Sequence, residues 1–339
     1  MIMRFGEDVT EGQETRASGA GFAEWAAGLR GRALAQGIGA GLFDTAFAGL
    51  SPDPDVIAKD RQQAEFVRSI WEYLDKAVSA ERQVAGQVAL HRHEALLARI
   101  EARFGVAKEV VTAIWGLESN FGANRGDLPL IRSLATLAHE GRRGAFFESQ
   151  LIAALQILQA GDVSLPRLLG SWAGAMGHSQ FMPTTYLAHA IDFDGDGRRD
   201  IWAEDPTDAL ASTAAYLAAM GWQKGQPWGF EVTVPTGFDF SQSGKPHSLP
   251  VAEWAGLGLA QACGKALPDR GHLSLLLPAG ARGAAFLIGP NFHALECYNA
   301  ADAYVLAVGH LSDRLQGGGP IRGSWPRAEQ ALTLAERAE

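Results

Sequence analysis

Residues 106–122 read VAKEVVTAIWGLESNFG, and the order of apolar and polar positions in that run sets the expectation for the fold. Val110, Val111, Ile114 and Trp115 recur at helical spacing and make one apolar stripe, so the segment is predicted to be a helix facing a core. The next position along that stripe holds Glu118, where a carboxylate is out of pattern. Gly122 supplies a helix stop, which puts Glu118 in the last turn. Burial, the flanking Trp115 and Phe121, and the negative end of the helix dipole would all disfavour its ionised form. A glutamic acid held protonated near neutral pH is what a general acid requires. Taken alone, a Glu in this place is more commonly a frayed helix end turned to water, because buried Glu is rare. The motifs around it reverse that balance.

Outward from this run the texture stays helical. Trp25, Leu29 and Leu34, then Leu90, Leu96, Leu97 and Ile100, keep a 3.6-like spacing. Ser51-Pro-Asp-Pro54 interrupts the region, and Gly37-Ile-Gly-Ala-Gly41 reads as a helix–helix connection because it lacks the glycine spacing of a dinucleotide site. Helices are expected to continue from Lys108 to Met220, with loops near 121–129, 161–166 and 192–206. Three strand-like runs then follow, Gly229–Pro235, Leu273–Leu277 and Ala284–Ile288, punctuated by Gly and Pro. A last helix is expected over Asn299–Leu315. The class is therefore mainly α with a small β-rich insertion (α+β). The parts are a disordered leader at 1–19, an N-terminal helical region at 20–105, a core at 106–227, the insertion at 228–295, a helix returning to the core at 296–316, and a tail at 317–339.

The chain has 339 residues, 47% hydrophobic and 20% charged, which is ordinary globular composition. Its net charge of −9 excludes a general nucleic-acid binder, and no stretch is apolar for long enough to span a membrane. Cys263 and Cys297 are too few for a disulfide framework; they form either one bond in an oxidising compartment or two separate thiols. His91 and His93 lie two residues apart on a helix, on different faces, and make a poor metal pair. No export signal is visible at the N-terminus.

Two further stretches carry chemistry. In Ser171-Trp-Ala-Gly-Ala-Met-Gly-His-Ser-Gln-Phe-Met-Pro183, the small residues Ala173, Gly174, Ala175 and Gly177 would let a ligand approach the backbone closely. Ser171 and Gln180 offer neutral donors and acceptors for sugar hydroxyls or amides, beside the apolar faces of Trp172, Phe181 and Met182. Tight helix packing with Ala and Gly at the contact accounts for the small residues equally well. Asp192-Phe-Asp194-Gly-Asp196-Gly197 fits the first half of an EF-hand loop, with the Arg198 carbonyl as the next ligand. The twelfth position is Ala203 rather than Glu, so the loop departs from the standard pattern.

The order E-S-x-F-G, G-A-M-G-x-x-Q-F-M-P, then a DGDG loop closely resembles the lytic murein transglycosylases of the MltB type, over about Phe22 to Leu315. That resemblance implies a lysozyme-like catalytic core. It implies cleavage of the β-1,4 bond between N-acetylmuramic acid and N-acetylglucosamine with a 1,6-anhydro product, Glu118 serving as acid and then base. Only one protein carboxylate is then needed, unlike ordinary glycosidases. By the same resemblance Ser171, Gln180, Tyr216, Tyr298 and Tyr304 line the sugar subsites, and Arg142 and Arg143 face the muramyl peptide or its carboxylates. The resemblance closes a structural calcium site over Asp192, Asp194, Asp196 and Arg198 with Asp208. Partners would be glycan strands and muropeptides, the place the periplasm or cell envelope, and the state a monomer. The alternatives are a lysozyme-like muramidase, in which water replaces the sugar's C6 hydroxyl, a non-catalytic peptidoglycan-binding protein, and a calcium-dependent interaction module.

Overall fold

The computed structural model describes residues 19–62, 69–140 and 142–328. The expected leader lies outside the described residues up to residue 18, and so does the tail from 329; Gly19 already begins a helix. The chain is mainly helical with a small antiparallel sheet, as the sequence implies. The described residues divide into two compact units, one drawn from 19–62 and 118–215, the other from 69–117 and 216–328.

The first unit is built around the helices Leu130–Glu140 and Gly144–Ala160. Leu130, Leu134, Leu137, Leu151, Leu155 and Ile157 are fully or almost fully buried between them and their neighbours. Burial of that extent stabilises by about 2 kcal/mol per large aliphatic side chain. The connection at Gly37–Gly39 does join two helices, Gly19–Ala35 and Ala40–Phe47, with Gly37 at φ +87°. The break at Ser51–Pro54 delivers Pro54 as the first residue of helix Pro54–Gln62, where its missing N–H is harmless. Two short strands, β1 (Leu128–Pro129) and β2 (Leu169–Gly170), pair antiparallel and tie the start of the Leu130 helix to the small-residue loop.

The second unit holds the helices Ile70–Ala77, Ala80–Arg92 and Glu94–Phe104. The first is closed by a capping box between Ser69 and Glu72. Its sheet contains β3 (Gly229–Thr233), β4 (Ser248–Pro250), β5 (Ala260–Gln261), β6 (His272–Leu276) and β7 (Ala285–Ile288), in the order β4-β6-β7-β3-β5. Leu275 opposes Leu287 and Val232 opposes Ala285, so one face gathers these with Trp254, Leu259 and Leu273 into a core. Trp254 comes from a short helix, Val251–Gly256, and its indole N–H donates to the Leu273 carbonyl at 2.8 Å. The three strand-like runs became β3, β6 and β7. The edge strands β4 and β5 and the Val251 helix were not anticipated. The last helix starts at Asp302 rather than Asn299, and a separate helix, Pro290–Tyr298, precedes it. Cys263 and Cys297 are free and exposed, which selects the two-thiol reading.

Candidate active site

The helix Lys108–Ser119 buries Val110, Val111, Ile114 and Trp115, and Glu118 stands half-buried in its last turn. The stop is sharper than one glycine would give: Asn120, Phe121 and Gly122 have φ of +51°, +57° and +86° in succession. A left-handed conformation is unusual for an L-residue and strained for a bulky one. Among the described residues the non-glycine positions with positive φ are Asn120, Phe121 and Gln180, and all three fall in the two motifs singled out above. The turn is held by the Ser119 hydroxyl, which accepts from Gly122 N–H at 3.1 Å and donates to the His178 carbonyl at 2.8 Å.

The loop that follows β2 is irregular, not helical, and is closed by backbone bridges from Met176 to Gly170 and to Phe181. Ser171 Oγ accepts from Ala175 N–H at 3.0 Å, and Ser171 N–H donates to the Ala175 carbonyl at 2.7 Å. The glycines do not serve ligand approach as the sequence reading had it. A Cβ on Gly177 would lie 2.3 Å from the Ile201 carbonyl oxygen, and one on Gly174 would lie 2.6 Å from Leu134 Cδ2. The protein's own atoms occupy that space, which selects the packing alternative. Gln180 is buried, and its amide nitrogen donates to the carbonyls of Gly177 (2.9 Å) and Arg125 (3.1 Å). Both partners are acceptors, so the amide orientation is fixed and the Gln180 carbonyl is the end left for other work.

Two residues that the sequence reading passed over connect these motifs. Arg125, just past the Glu118 turn, donates to the carbonyls of Ala203 (2.8 Å) and Trp202 (3.2 Å) and pairs with Glu204, whose carboxyl it holds below the usual range. His178, assigned no chemistry from sequence, is buried, with its ring Nε2 2.7 Å from the Ala203 carbonyl. Neither carries a sequence signature, because apart from the exposed Glu204 the partners named here are backbone carbonyls.

In the acidic loop, Asp192, Asp194 and Asp196 bring carboxylate oxygens within 4.8 Å of one another. Asp192 also accepts from the N–H groups of Gly195 (2.6 Å) and Gly197 (2.9 Å), and both glycines take positive φ, as the sixth position of an EF-hand loop requires for Gly197. The donor set is all oxygen and suits a hard divalent cation. Asp208 is buried; its two oxygens accept from Phe193 N–H (2.8 Å) and Asp200 N–H (2.9 Å), and desolvation, with the Asp194 charge adding to it, lifts its carboxyl to about 6. Arg198 N–H donates to Asp196 Oδ1 at 2.8 Å.

Arg142 and Arg143 both engage Asp60, at 3.1 and 2.9 Å, and Asp60 is only 3% exposed. Arg143 also lies over the Phe147 ring at 4.8 Å. Much of their charge therefore answers a buried carboxylate, which would be costly to leave unpaired. In the other unit, the structure brings the three tyrosines together. Tyr216 meets Tyr298 edge-on at 5.4 Å, Tyr298 stacks on Tyr304 at 6.4 Å, and the Tyr216 hydroxyl donates to the Cys297 carbonyl at 2.5 Å. Burial raises the Tyr216 phenol to about 12. Tyr304 is 4% exposed, so it backs Tyr298 rather than presenting a face of its own. Just ahead of the Tyr216 helix, Thr207–Ala219, Asp205 Oδ1 accepts from Thr207 N–H at 3.0 Å.

The family model described as "Transglycosylase SLT domain" matches residues 21–313. The membrane-bound lytic murein transglycosylase B of Escherichia coli (strain K12) is 32% identical over 246 residues, which are 70% of this chain and 65% of that protein. The chain thus spans just under two thirds of that relative's length. Among solved structures, SltB3 from Pseudomonas aeruginosa in complex with NAG-anhNAM-pentapeptide is 52% identical with a TM-score of 0.89, over 92% of this chain and 84% of that one. Escherichia coli Slt35 in complex with calcium is 27% identical with a TM-score of 0.74, over 86% and 92%. The likeness to Slt35 gives the lysozyme-like fold that the sequence implied.

Proposed function

The chain belongs to the transglycosylase SLT domain family, and from that premise we propose that it is a lytic transglycosylase of peptidoglycan. It cleaves the β-1,4 bond between N-acetylmuramic acid and N-acetylglucosamine and leaves a 1,6-anhydro-muramyl end. The observation that carries this reading is the joined pair of strained turns: Glu118 ends its helix beside Ser119, whose hydroxyl is fastened to the loop bearing Ser171 and Gln180. Residues 106–227 are the lysozyme-like catalytic core in this reading, and 296–316 the helix returning to it.

Glu118 protonates the glycosidic oxygen as the bond breaks. Positive charge grows at the muramyl anomeric carbon, and the sugar's own N-acetyl group stabilises it. The Glu118 carboxylate then takes the proton from the C6 hydroxyl as that oxygen closes on the anomeric carbon, so one group acts as acid and base in turn. Ser171 and the carbonyl end of Gln180 hold sugar hydroxyls and amides, and Tyr216 and Tyr298 offer aromatic faces with Tyr304 behind them. Arg142, whose side chain is half-exposed, receives a carboxylate of the muramyl peptide while Arg143 anchors Asp60. Asp192, Asp194, Asp196 and the Arg198 carbonyl hold a structural calcium, with Asp208 closing the loop. The substrate sets the cell envelope as the working place. Among the described residues no helix is long and apolar enough to cross a membrane.

Glu118→Gln keeps the shape and removes the proton. Cleavage of purified murein is expected to fall by roughly a thousandfold, with muropeptide binding nearly unchanged. Mass spectrometry of the wild-type digest should give products lighter by one water than hydrolysis would. Products carrying the added water would make this a muramidase, and a wild-type rate from Glu118→Gln would remove Glu118 from the chemistry.

A further inference from the structure

We propose that Arg125 is a positioning residue for Glu118, fastening the exit of the acidic loop to the turn that ends the Glu118 helix. The inference rests on the reading of Glu118 given above. Nη1 of Arg125 has two hydrogens and two carbonyls to meet, Trp202 at 3.2 Å and Ala203 at 2.8 Å. Nη2 reaches Glu204, and the Arg125 backbone carbonyl accepts from Gln180 at 3.1 Å. Glu204 is 91% exposed, so that ion pair adds little; the directional bonds to carbonyls set the geometry.

His178 completes the link. Its Nε2 lies 2.7 Å from the Ala203 carbonyl and 3.3 Å from Arg125 Nη1. A carbonyl only accepts, so the proton sits on Nε2 and points at Ala203, and that nitrogen then has no lone pair for Arg125. Imidazole and guanidinium therefore converge on one carbonyl oxygen and use both of its lone pairs. The backbone of His178 works in both directions: its N–H donates to the Ile201 carbonyl at 3.1 Å and its carbonyl accepts from Ser119 Oγ at 2.8 Å. From Ile201–Ala203 the path to the residue after Glu118 is thus one residue long. Arg125 braces both ends of it, since it directly follows the Glu118 turn in sequence and is tied to the loop exit by hydrogen bonding. Removing the guanidinium releases the Trp202 carbonyl and leaves the Ala203 carbonyl on the His178 bond alone, which loosens the loop exit and, through His178, the Ser119 turn.

The test compares Arg125→Met and Arg125→Lys with Arg167→Met, which breaks an ion pair from the half-exposed Arg167 to Asp200 on the same loop. Arg125→Met is expected to lower kcat on soluble glycan strands about tenfold or more with KM within about twofold. Exchange of the Gly122 amide is expected to quicken about tenfold. Arg167→Met should leave both readouts within about twofold of wild type. Lys reaches one carbonyl and cannot fork, so Arg125→Lys should recover only part of kcat; it carries the same test should the Met variant not fold. An unchanged kcat, or an unchanged Gly122 exchange rate, in the Arg125 variants would overturn the inference. A wild-type chain that leaves murein intact would overturn the transglycosylase reading instead, and the exchange comparison would still decide the coupling.

Discussion

Gly177 shows how tightly one position can be specified. It has φ +64°, and a Cβ there would sit 2.3 Å from the Ile201 carbonyl oxygen, which is backbone and cannot swing aside. Gly161 has a similar φ, +82°, but open space around the missing Cβ. Alanine at each position pays the left-handed strain, and only at 177 does it also displace a backbone. We expect Gly161→Ala to lose about 1 kcal/mol and Gly177→Ala about 3 kcal/mol or more in urea unfolding. Equal losses would mean that the loop accommodates the methyl group and that the contact with Ile201 is loose. The same contact explains why Ile201 matters at a distance, because its carbonyl also receives the His178 N–H.

At the scale of elements, the acidic loop is shaped by its own carboxylates. Asp192, Asp194 and Asp196 each accept from a backbone N–H within the loop, and Asp208 accepts from two more. Three carboxylates that close repel one another, and a bound divalent cation would relieve this. Calcium at about a hundred times its dissociation constant should add roughly 2.7 kcal/mol, a rise in Tm of about 4 °C for a chain of this length. EDTA should remove that rise, and Asp194→Asn should shrink it. A Tm indifferent to calcium would leave the loop a metal-free turn. Elements with long, regular patterns were legible beforehand: the Val110–Trp115 stripe, the runs that became β3, β6 and β7, and Glu118 as the residue out of pattern. The two-residue strand β5 and the three-residue strand β4 were not, because nothing local distinguishes them and pairing partners far along the chain create them. The helix Pro290–Tyr298 escaped because its apolar positions, Phe292, Ala294 and Leu295, are few and interrupted by His293 and Glu296. Arg125 and His178 were invisible for the same physical reason, since backbone carbonyls have no residue type.

For the whole molecule, two half-buried groups on one helix, Asp302–Leu315, respond to pH in opposite senses. Burial, with Arg314 nearby, lowers the His310 imidazole to about 4. Burial raises the Asp313 carboxyl to about 7, against the opposing hydrogen bond from the Trp228 indole N–H at 3.1 Å. Between about pH 4 and 6.5 the unfolded chain binds a proton at His310 that the folded chain refuses, so this group makes stability rise with pH. Over about pH 4 to 7 the folded chain keeps a proton at Asp313 that the unfolded chain has released, so this group makes stability fall with pH. The two slopes oppose each other and nearly cancel across the shared window. Each substitution alone should expose the other's slope. His310→Gln should lose stability relative to wild type as pH rises from 4.5 to 6.5, and Asp313→Asn should gain it, each by at most about 1.4 kcal/mol per pH unit. Urea unfolding at pH 4.5, 5.5 and 6.5 measures both, and the difference from wild type removes the common contribution of all other titrating groups. Two variants running parallel to wild type would show that neither group is as desolvated as its surroundings in the helix imply, and that the acid limit of this fold is set elsewhere.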